Sequence, residues 1–266
     1  MRLTVVGCSG SMSGPASPAS CYLVQADGVD PGGRRRTYSV LLDLGPGAMG
    51  ALLNHVDPAA LDLVAISHLH ADHMVDLIGM QVYRRWHPDG GLAPLPVLAP
   101  SGALARVRGV GGDDEAEDYA GEFTFSEHVP GTAVQVGPLR IESFPVNHPV
   151  PAYGIRVSGP SSRPGGPAEV SLAYTGDTDA CDGVVALASG VDLLLSEAAF
   201  QEGRDTVRGV HLTGRRAGEV AASGGVRRLV LTHLQPWTDP EVVRAEAQGA
   251  YRGPVDIAAA GAVWTL

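Results

Sequence analysis

Three histidines and one aspartate fall within six consecutive positions, residues 68–73. Imidazole nitrogens and carboxylate oxygens bind divalent cations in proteins, and both groups are deprotonated near neutral pH at little cost. His68 and His70 are two positions apart and can converge on one ion, whereas Asp72 and His73 point towards a second ion. A polar turn that is rich in histidine by chance is the alternative. Four ligand-type residues at this density favour a metal site and metal-assisted chemistry.

The segments on either side of this motif predict how it is held. The apolar run 63–66 is typical of a buried strand, and apolar residues in 74–86 recur at helical spacing. The motif therefore lies on the turn where a strand gives way to a helix, a common place for binding residues.

Further ligand-type residues follow other predicted strands. His148 comes after the apolar run 139–144, Asp177 follows 170–174, and His233 follows 229–231. Each of them alone is a weak signal, because a histidine or a Gly-Asp-Thr sequence after a strand is more often structural. Together they bring the ligand-type residues to seven, the number that two close cations need when one carboxylate bridges them.

The composition limits the classes of function. The 266 residues carry a formal net charge of -10, and this argues against a surface that follows a nucleic-acid backbone. All 19 cationic residues are arginine, so a mechanism that needs a lysine Schiff base is excluded. The three cysteines are scattered, and we find no signal-peptide pattern and no apolar run of membrane-spanning length. These features predict a cytoplasmic protein with no membrane partner.

The pattern of strands and helices predicts one domain over residues 1–266, with strand-rich halves that each carry helices. We find no linker, repeat or break in composition. Strands are predicted at 3–6, 21–25, 39–43, 63–66, 95–98, 123–125, 133–136, 139–144, 153–157, 170–174, 191–195, 229–231, 255–258 and 262–266. Helices are predicted at 48–55, 74–86, 101–108, 180–189, 213–222 and 240–251, with Ser101 and Thr213 as caps.

The order and positions of these motifs resemble those of the metallo-β-lactamase-fold hydrolases over nearly the whole chain. The resemblance implies an α/β fold of four layers, an αββα sandwich. It also implies two divalent ions, with zinc expected and manganese as the other candidate. The carried-over ligands of the first ion are His68, His70 and His148, those of the second are Asp72, His73 and His233, and Asp177 is shared by both.

Three details indicate which branch of the family this chain resembles. The shared ligand is Asp177, not the cysteine of the true β-lactamases, so antibiotic hydrolysis is disfavoured. Glu197 and His211 lie between Asp177 and His233 in the pattern of the phosphodiesterase branch, which includes ribonuclease Z. In that branch a histidine at the place of His211 assists the chemistry, so the resemblance implies that His211 is catalytic. We predict a catalytic role for Asp72 as well. Glu197 is the expected partner that orients His211, with a purely structural role as the alternative.

The resemblance also narrows the substrate. Ribonuclease Z carries a long protruding arm before its Gly-Asp-Thr sequence, but only 28 residues separate His148 from Asp177 here. The segments 15–20, 83–88 and 232–238 look most like the short, atypical cyclic-nucleotide phosphodiesterases. We therefore expect hydrolysis of 3′,5′-cyclic nucleotides such as cyclic AMP to 5′-monophosphates. The expected partners are a small nucleotide and a second copy of the chain, as a homodimer.

Three alternatives remain open. An arm-free ribonuclease of the same branch would share every ligand, and a lactone or thioester hydrolase would share the metals but attack a carbonyl carbon. A non-catalytic binding module should have lost at least one ligand, and none is missing. The sequence leaves the residues that hold the base undecided, with Ser11, Tyr83 and Trp237 as candidates.

Overall fold

The computed structural model describes residues 1–266 and contains fourteen strands and seven α-helices. The strands are β1 (Arg2–Gly7), β2 (Cys21–Val29), β3 (Arg35–Leu42), β4 (Leu63–Ala65), β5 (Leu95–Ala99), β6 (Phe123–Glu127), β7 (Ala133–Val136), β8 (Leu139–Pro145), β9 (Tyr153–Pro160), β10 (Glu169–Tyr174), β11 (Leu193–Glu197), β12 (Leu229–Thr232), β13 (Val255–Ile257) and β14 (Val263–Thr265). The helices are α1 (Ala48–Leu52), α2 (Ala71–Met74), α3 (Leu77–Arg85), α4 (Ala103–Gly111), α5 (Asp182–Ala188), α6 (Gly214–Gly224) and α7 (Pro240–Ala250). A short 3₁₀ turn, Pro58–Ala60, precedes β4.

The strands form two seven-stranded sheets. The first has the order β14-β1-β2-β3-β4-β5-β6 and the second the order β13-β12-β11-β10-β9-β8-β7. Each sheet has antiparallel strands on one side and parallel strands on the other, because β3 to β6 and β10 to β13 are joined by parallel pairings. Helices connect most of the parallel strands, as parallel pairing requires a crossover.

Three apolar cores bind the layers together. The central core joins the facing sides of the two sheets, for example Val24 of β2 with Ile155 of β9. A second core packs α1 to α4 on the outer face of the first sheet, and a third packs α5 to α7 on the outer face of the second. The order of layers is helix, sheet, sheet, helix, and this confirms the predicted αββα sandwich. All the helices are too short or too polar to span a lipid bilayer.

The helix predicted over 74–86 is confirmed as α3 (Leu77–Arg85), but its predicted start was wrong, because Met74 belongs to the separate helix α2. The structure has two helices, α2 and α3, which are separated at Val75 and Asp76. The backbone N–H of Asp76 donates to Leu44 O, and its carboxylate accepts from Met49 N at 2.8 Å. These contacts tie the break to α1. The helix predicted from Ser101 begins after Gly102, and Ser101 does not cap it, whereas Thr213 caps α6 as predicted.

Parallel pairing brings the carboxyl ends of β10, β11 and β12 together at one edge of the second sheet. Glu197 at the end of β11 pairs with Thr232 of β12, and Asp177 and His233 come just after β10 and β12. The carboxyl end of β4 in the first sheet leads directly into residues 68–73. The predicted ligands therefore gather where the carboxyl ends of strands from both sheets meet.

Candidate metal centre

Three imidazoles converge beside the end of β4. The His68 Nε2 atom lies 3.1 Å from His70 Nδ1, and the same His70 nitrogen lies 3.1 Å from His148 Nε2. Tetrahedral coordination with ordinary zinc–nitrogen bonds places ligand nitrogens about 3.4 Å apart. This three-histidine cluster (His68, His70 and His148) thus has the spacing of ligands around one ion.

Two of the ligand-type histidines form a hydrogen bond through Nδ1, the ring nitrogen that faces away from the other donors, and this bond fixes the tautomer. The Nδ1–H of His148 donates to Val210 O at 2.9 Å, because a carbonyl oxygen can only accept. The Nδ1–H of His73 donates to the Asp43 carboxylate at 2.7 Å. In the neutral form of both residues the Nε2 atom therefore carries the lone pair, and in both it faces the other donors.

A second group of donors, the mixed cluster, is formed by Asp72, His73 and His233. His233 Nε2 lies 3.2 Å from His73 Nε2 and 3.2 Å from Asp72 Oδ2. The rings of His73 and His68, one from each cluster, have centroids 4.2 Å apart, so the two clusters are adjacent.

Asp177 lies between the clusters. Its Oδ1 atom is 3.3 Å from His73 Nε2 and 3.5 Å from His233 Nδ1, whereas its Oδ2 atom is 3.7 Å from His68 Nε2. Each carboxylate oxygen thus faces a different cluster, the arrangement that a bridging ligand needs. The structure brings all seven predicted ligands together, and the assignment of each to an ion stays a prediction.

The donors fit divalent cations. Asp177 Oδ1 and His233 Nδ1 are buried without a hydrogen bond of acceptable geometry, an uncommon situation for buried polar atoms. His73 is flanked by the carboxylates of Asp43, Asp72 and Asp177, within 3.3 Å, and no guanidinium group contacts these three. Buried carboxylates without a cationic partner are costly, so this set of charges matches the binding of cations.

The direction of the pKa shifts agrees with ligand chemistry. Burial lowers the pKa of His68, His70 and His148, which favours neutral imidazoles with free lone pairs. Burial opposes ionisation of Asp177, but His233 and His73 outweigh it and hold its pKa well below the ordinary value. His73 is the exception: burial lowers its pKa, but Asp177 and Asp43 outweigh burial and raise it, so a bound cation would have to displace a proton from this ring.

His211 stands beside both clusters. Its ring centroid is 5.6 Å from those of His148 and His233, and its Nδ1 atom is 3.0 Å from Glu197 Oε1. Burial lowers the pKa of His211, but the Glu197 carboxylate outweighs burial and raises it to about 9. An imidazole held in the charged form can donate a proton or a charge-assisted hydrogen bond.

Glu197 is itself fixed in place. It is fully buried at the end of β11, and its two carboxylate oxygens accept from the backbone N–H groups of Thr178 at 2.8 Å and Ala199 at 3.1 Å. These contacts link the segment after Asp177 to the segment that carries His211. The structure thus places the three predicted catalytic residues, Asp72, His211 and Glu197, at the site, and Glu197 contacts His211, while their catalytic roles stay predictions.

The sequence analysis missed Asp43, which follows β3. This fully buried carboxylate accepts from His73 Nδ1, Ser67 N, Ser67 Oγ and Tyr174 Oη, at distances of 2.6–2.7 Å. The sequence placed Asp43 inside the predicted strand 39–43, whereas the structure ends this strand at Leu42, so Asp43 follows a strand as Asp177 and His233 do. Asp43 holds His73 in the orientation in which its free lone pair faces the mixed cluster.

Asp179 and Arg216 were also missed. Arg216, only 5% exposed, forms an ion pair with Asp179 Oδ1, and Asp179 Oδ2 accepts from Gly209 N at 2.7 Å. Asp179 N donates to Asn147 O at 2.8 Å. Asp179 therefore joins the chain next to His148, through its backbone N–H, to the segment that leads into His211, through its carboxylate, and no spacing rule in the sequence points to it.

Backbone strain is concentrated at the site. Only four non-glycine residues have positive φ, and three of them, Ser11, Asp43 and His233, belong to the site or contact it; the fourth is Tyr119. The Ser11 N–H donates to His233 Nε2 at 3.2 Å. The backbone at Gly45 also packs closely against the site, because a Cβ atom on this residue would lie 2.0 Å from the backbone oxygen of Asp72.

Tyr83, a candidate for holding the base, is engaged elsewhere. It donates to Asp57 at 2.7 Å. The neighbouring Arg84 is buried, and Arg85 pairs with Glu117 and Glu122. None of these three side chains is free to bind a phosphate.

A large open groove lies away from the clusters. This open groove of about 960 Å³ lies at the amino ends of β3, β4 and β5, on the edge opposite the histidines. Arg34 and Arg36 on its walls pair with Asp30 and Asp62. No histidine lines it, and its two carboxylates are the ones that pair with these arginines.

Comparison with known proteins agrees with this geometry. Residues 38–234 match the family model described as "Beta-lactamase superfamily domain". The chain is 40% identical to the uncharacterized protein Rv1339 of Mycobacterium tuberculosis over 96% of this chain and 88% of that protein. It is 28% identical to ribonuclease Z of Methanothermobacter thermautotrophicus over 73% of this chain and 76% of that protein.

The probable metallo-hydrolase YhfI of Bacillus subtilis is similar along its whole length, with 29% identity over 99% of both chains. Its crystal structure superposes with a TM-score of 0.83 and covers 99% of this chain and 98% of that one. The family model matches most of the chain, and the relatives extend the match to nearly all of it. The chain therefore belongs to the beta-lactamase superfamily, on its ribonuclease Z-like branch of metallo-hydrolases.

Proposed function

We propose that the chain is a phosphodiesterase that hydrolyses a P–O bond at a two-metal site, with 3′,5′-cyclic nucleotides such as cyclic AMP as substrates and 5′-monophosphates as products. The observation that carries the proposal is the pair of donor clusters, which share Asp177 and have His211 at their side. The similarity to a ribonuclease Z, an enzyme named for cleaving RNA, supports phosphoryl chemistry.

Two zinc ions suit this donor set. In our proposal the three-histidine cluster holds one ion, the mixed cluster holds the second, and Asp177 is shared. Five imidazoles and two carboxylates, with no thiolate, are nitrogen-rich ligands that favour zinc over magnesium or calcium. Bound divalent ions would supply a water of lowered pKa and charge stabilisation for the phosphoryl oxygens.

The chain itself supplies the proton. His211 lies next to both clusters, and Glu197 favours its charged form. We infer that His211 protonates the ribose oxygen as it departs, a general-acid contribution of roughly 10²–10⁴-fold. Glu197 orients the ring through Nδ1, which leaves Nε2 free of hydrogen bonds within the protein and available to the substrate.

RNA cleavage is the second candidate, because of the similarity to ribonuclease Z. Two features favour a small nucleotide instead. The segment between His148 and Asp177 holds only β9, β10 and the connection 161–168, with no protruding arm. The formal net charge of -10 would repel a long polyanion away from the metals.

The test is a comparison of substrates with one preparation of enzyme. Turnover of cyclic AMP, bis-p-nitrophenyl phosphate, a tRNA precursor and a lactone is measured with and without chelator. We expect cyclic AMP and the model diester to be hydrolysed, and chelator to abolish both activities. Faster cleavage of the tRNA precursor than of cyclic AMP would favour the ribonuclease, and turnover of the lactone alone would overturn the proposal.

A matched pair of variants tests the shared ligand. Asp177→Ala should abolish turnover of every substrate, whereas Asp89→Ala, at an exposed aspartate outside the site, should leave it unchanged. Circular dichroism shows whether each variant is folded. Full activity of a folded Asp177→Ala protein would contradict the bridging role.

We also propose a homodimer in the cytoplasm. The resemblance to the phosphodiesterase branch supports the dimer, and the three free, scattered cysteines support a reducing compartment such as the cytoplasm. Analytical ultracentrifugation of the purified protein tests the dimer, and a monomer at micromolar concentration would contradict it.

A further inference from the structure

An apolar cavity of about 360 Å³ lies against the three-histidine cluster. His70 forms part of its wall, so the cavity adjoins the proposed metal centre. The other lining residues are Leu69, Pro100, Ser101, Arg106, Val150 and Pro151. The mechanism proposed above uses none of these six side chains.

The cavity is built from the same edge of the fold as the site. Leu69 and His70 follow β4, Pro100 and Ser101 follow β5, and the segment 150–151 lies between β8 and β9. The strands β4 and β5 are parallel neighbours, so their carboxyl ends deliver the two loops side by side. A volume of this size is within the range of small-molecule sites, about 300–1,000 Å³.

The polar groups of the lining are donors. The Nε–H of Arg106 donates to Leu69 O at 3.2 Å, which holds the guanidinium group against the wall, and its two terminal nitrogens have no partner within the protein. The Ser101 hydroxyl makes no hydrogen bond within the protein, and it does not cap α4. No carboxylate lines the cavity. The occupant should therefore be largely apolar and present hydrogen-bond acceptors at one edge.

We propose that this cavity binds the nucleobase of a nucleotide phosphodiester, an inference that rests on the proposed function. Leu69, Val150 and Pro151 contact the apolar surface of the base, and Arg106 and Ser101 donate to its ring nitrogens or carbonyl oxygens. A base has an apolar surface that fits the apolar wall of the cavity and hydrogen-bond acceptors along one edge that fit the donors of the lining. An acyl chain would fill the apolar part but would leave the donors without partners.

The experiment compares two substrates that share a phosphodiester and a p-nitrophenolate leaving group. Thymidine 5′-(p-nitrophenyl phosphate) carries a base, and methyl p-nitrophenyl phosphate does not. Filling the cavity with Ser101→Trp should raise KM for the thymidine substrate about tenfold, the effect of losing one good contact. The kcat/KM for the methyl substrate should stay within about twofold, because the metal centre is untouched.

Matched controls separate the cavity from general damage. Ser223→Trp places the same bulk on an exposed serine of α6 and should change neither substrate. Val150→Trp fills the cavity from another loop and should repeat the selective effect if Ser101→Trp does not fold. Arg106→Ala should raise KM for the thymidine substrate only, whereas Arg252→Ala, at an exposed arginine, should not.

Each outcome decides between the two proposals. Turnover of both substrates by the unmodified protein, with equal losses or no losses in the cavity variants, overturns the base site and leaves the phosphodiesterase intact. Failure of the unmodified protein to hydrolyse either diester overturns the phosphodiesterase and the base site together.

Discussion

The ring nitrogens that face away from the other donors decide how the imidazoles can act. His73 is held through Nδ1 by Asp43, His148 by the carbonyl of Val210, and His211 by Glu197. A carboxylate at Nδ1 makes the opposite nitrogen a better ligand or proton carrier, and it removes rotational freedom from the ring. The partners buried behind the histidines therefore matter as much as the histidines themselves.

The first prediction concerns Asp43. Replacing it with asparagine removes the charge that orients His73 and makes it basic, while the residue volume stays the same. We expect metal affinity to fall about 10–100-fold. Competition with a fluorescent chelator measures it, with Asp89→Asn as the control, and unchanged affinity would show that Asp43 serves the fold alone.

The second prediction concerns His211. A general acid is needed most when the leaving group is a poor one, so His211→Ala should slow hydrolysis of cyclic AMP by about 10²–10⁴-fold. The same variant should slow bis-p-nitrophenyl phosphate much less, because p-nitrophenolate leaves without a proton. Glu197→Gln should show the same pattern to a smaller extent. Equal losses on both substrates would mean that His211 binds the phosphoryl group and does not transfer the proton.

At the scale of elements, the site depends on segments that follow strands from two different sheets. Asp179 ties two of these segments together, because it pairs with the buried Arg216 of α6, accepts from Gly209 and contacts the backbone of Asn147. Asp179 therefore connects the chain next to His148, through its backbone, with the chain that leads to His211, through its carboxylate.

The third prediction follows from this ion pair. Asp179→Ala removes the direct ion pair of the buried Arg216 and leaves only Glu202, whose Oε1 atom is 3.8 Å from Arg216 Nε, so the free energy of unfolding should fall by about 3 kcal/mol. Urea denaturation measures it. Arg227 and Asp192 form a pair in which Arg227 is 73% exposed, and Arg227→Ala should cost about 0–1 kcal/mol. Equal effects of the two variants would remove the special role of Asp179.

The sequence predicted the positions of the strands and helices better than the breaks and contacts between them. Apolar runs located the strands that precede His148, Asp177 and His233, because a buried strand leaves a run of apolar residues in the sequence. The break at Asp76 was missed because its cause is not local: the break depends on contacts with Leu44 and Met49. Asp179 and Arg216 are 37 positions apart, and pairing at that distance leaves no trace in a single sequence.

At the scale of the whole molecule, three apolar cores hold the four layers together, and the donor clusters lie at one edge where both sheets meet. This arrangement places buried polar groups next to the cores. His128 is an example: its Nε2–H donates to Ile66 O at 2.8 Å, its Nδ1 atom is 2.7 Å from Ser143 Oγ, and its ring packs on Tyr153.

The fourth prediction is a pH dependence of stability. Burial lowers the pKa of His128, so the folded protein excludes a proton that the unfolded chain accepts below about pH 6.5. The contribution of His128 to stability is therefore full above pH 6.5, and it is lost as the pH falls from there towards the folded pKa. Other histidines titrate as well, so the informative quantity is the difference between the unmodified protein and His128→Gln. The unmodified protein should lose more stability than the variant between pH 7 and pH 5.5, and parallel losses would contradict this account.

The most direct test of the central claim is anomalous X-ray diffraction at the zinc edge from crystals of the zinc-loaded protein. We predict two peaks, roughly 3.5–4 Å apart. One should lie among His68, His70 and His148 and the other among Asp72, His73 and His233, with Asp177 contacting both. A single peak, or ions bound away from these seven side chains, would contradict the two-metal account.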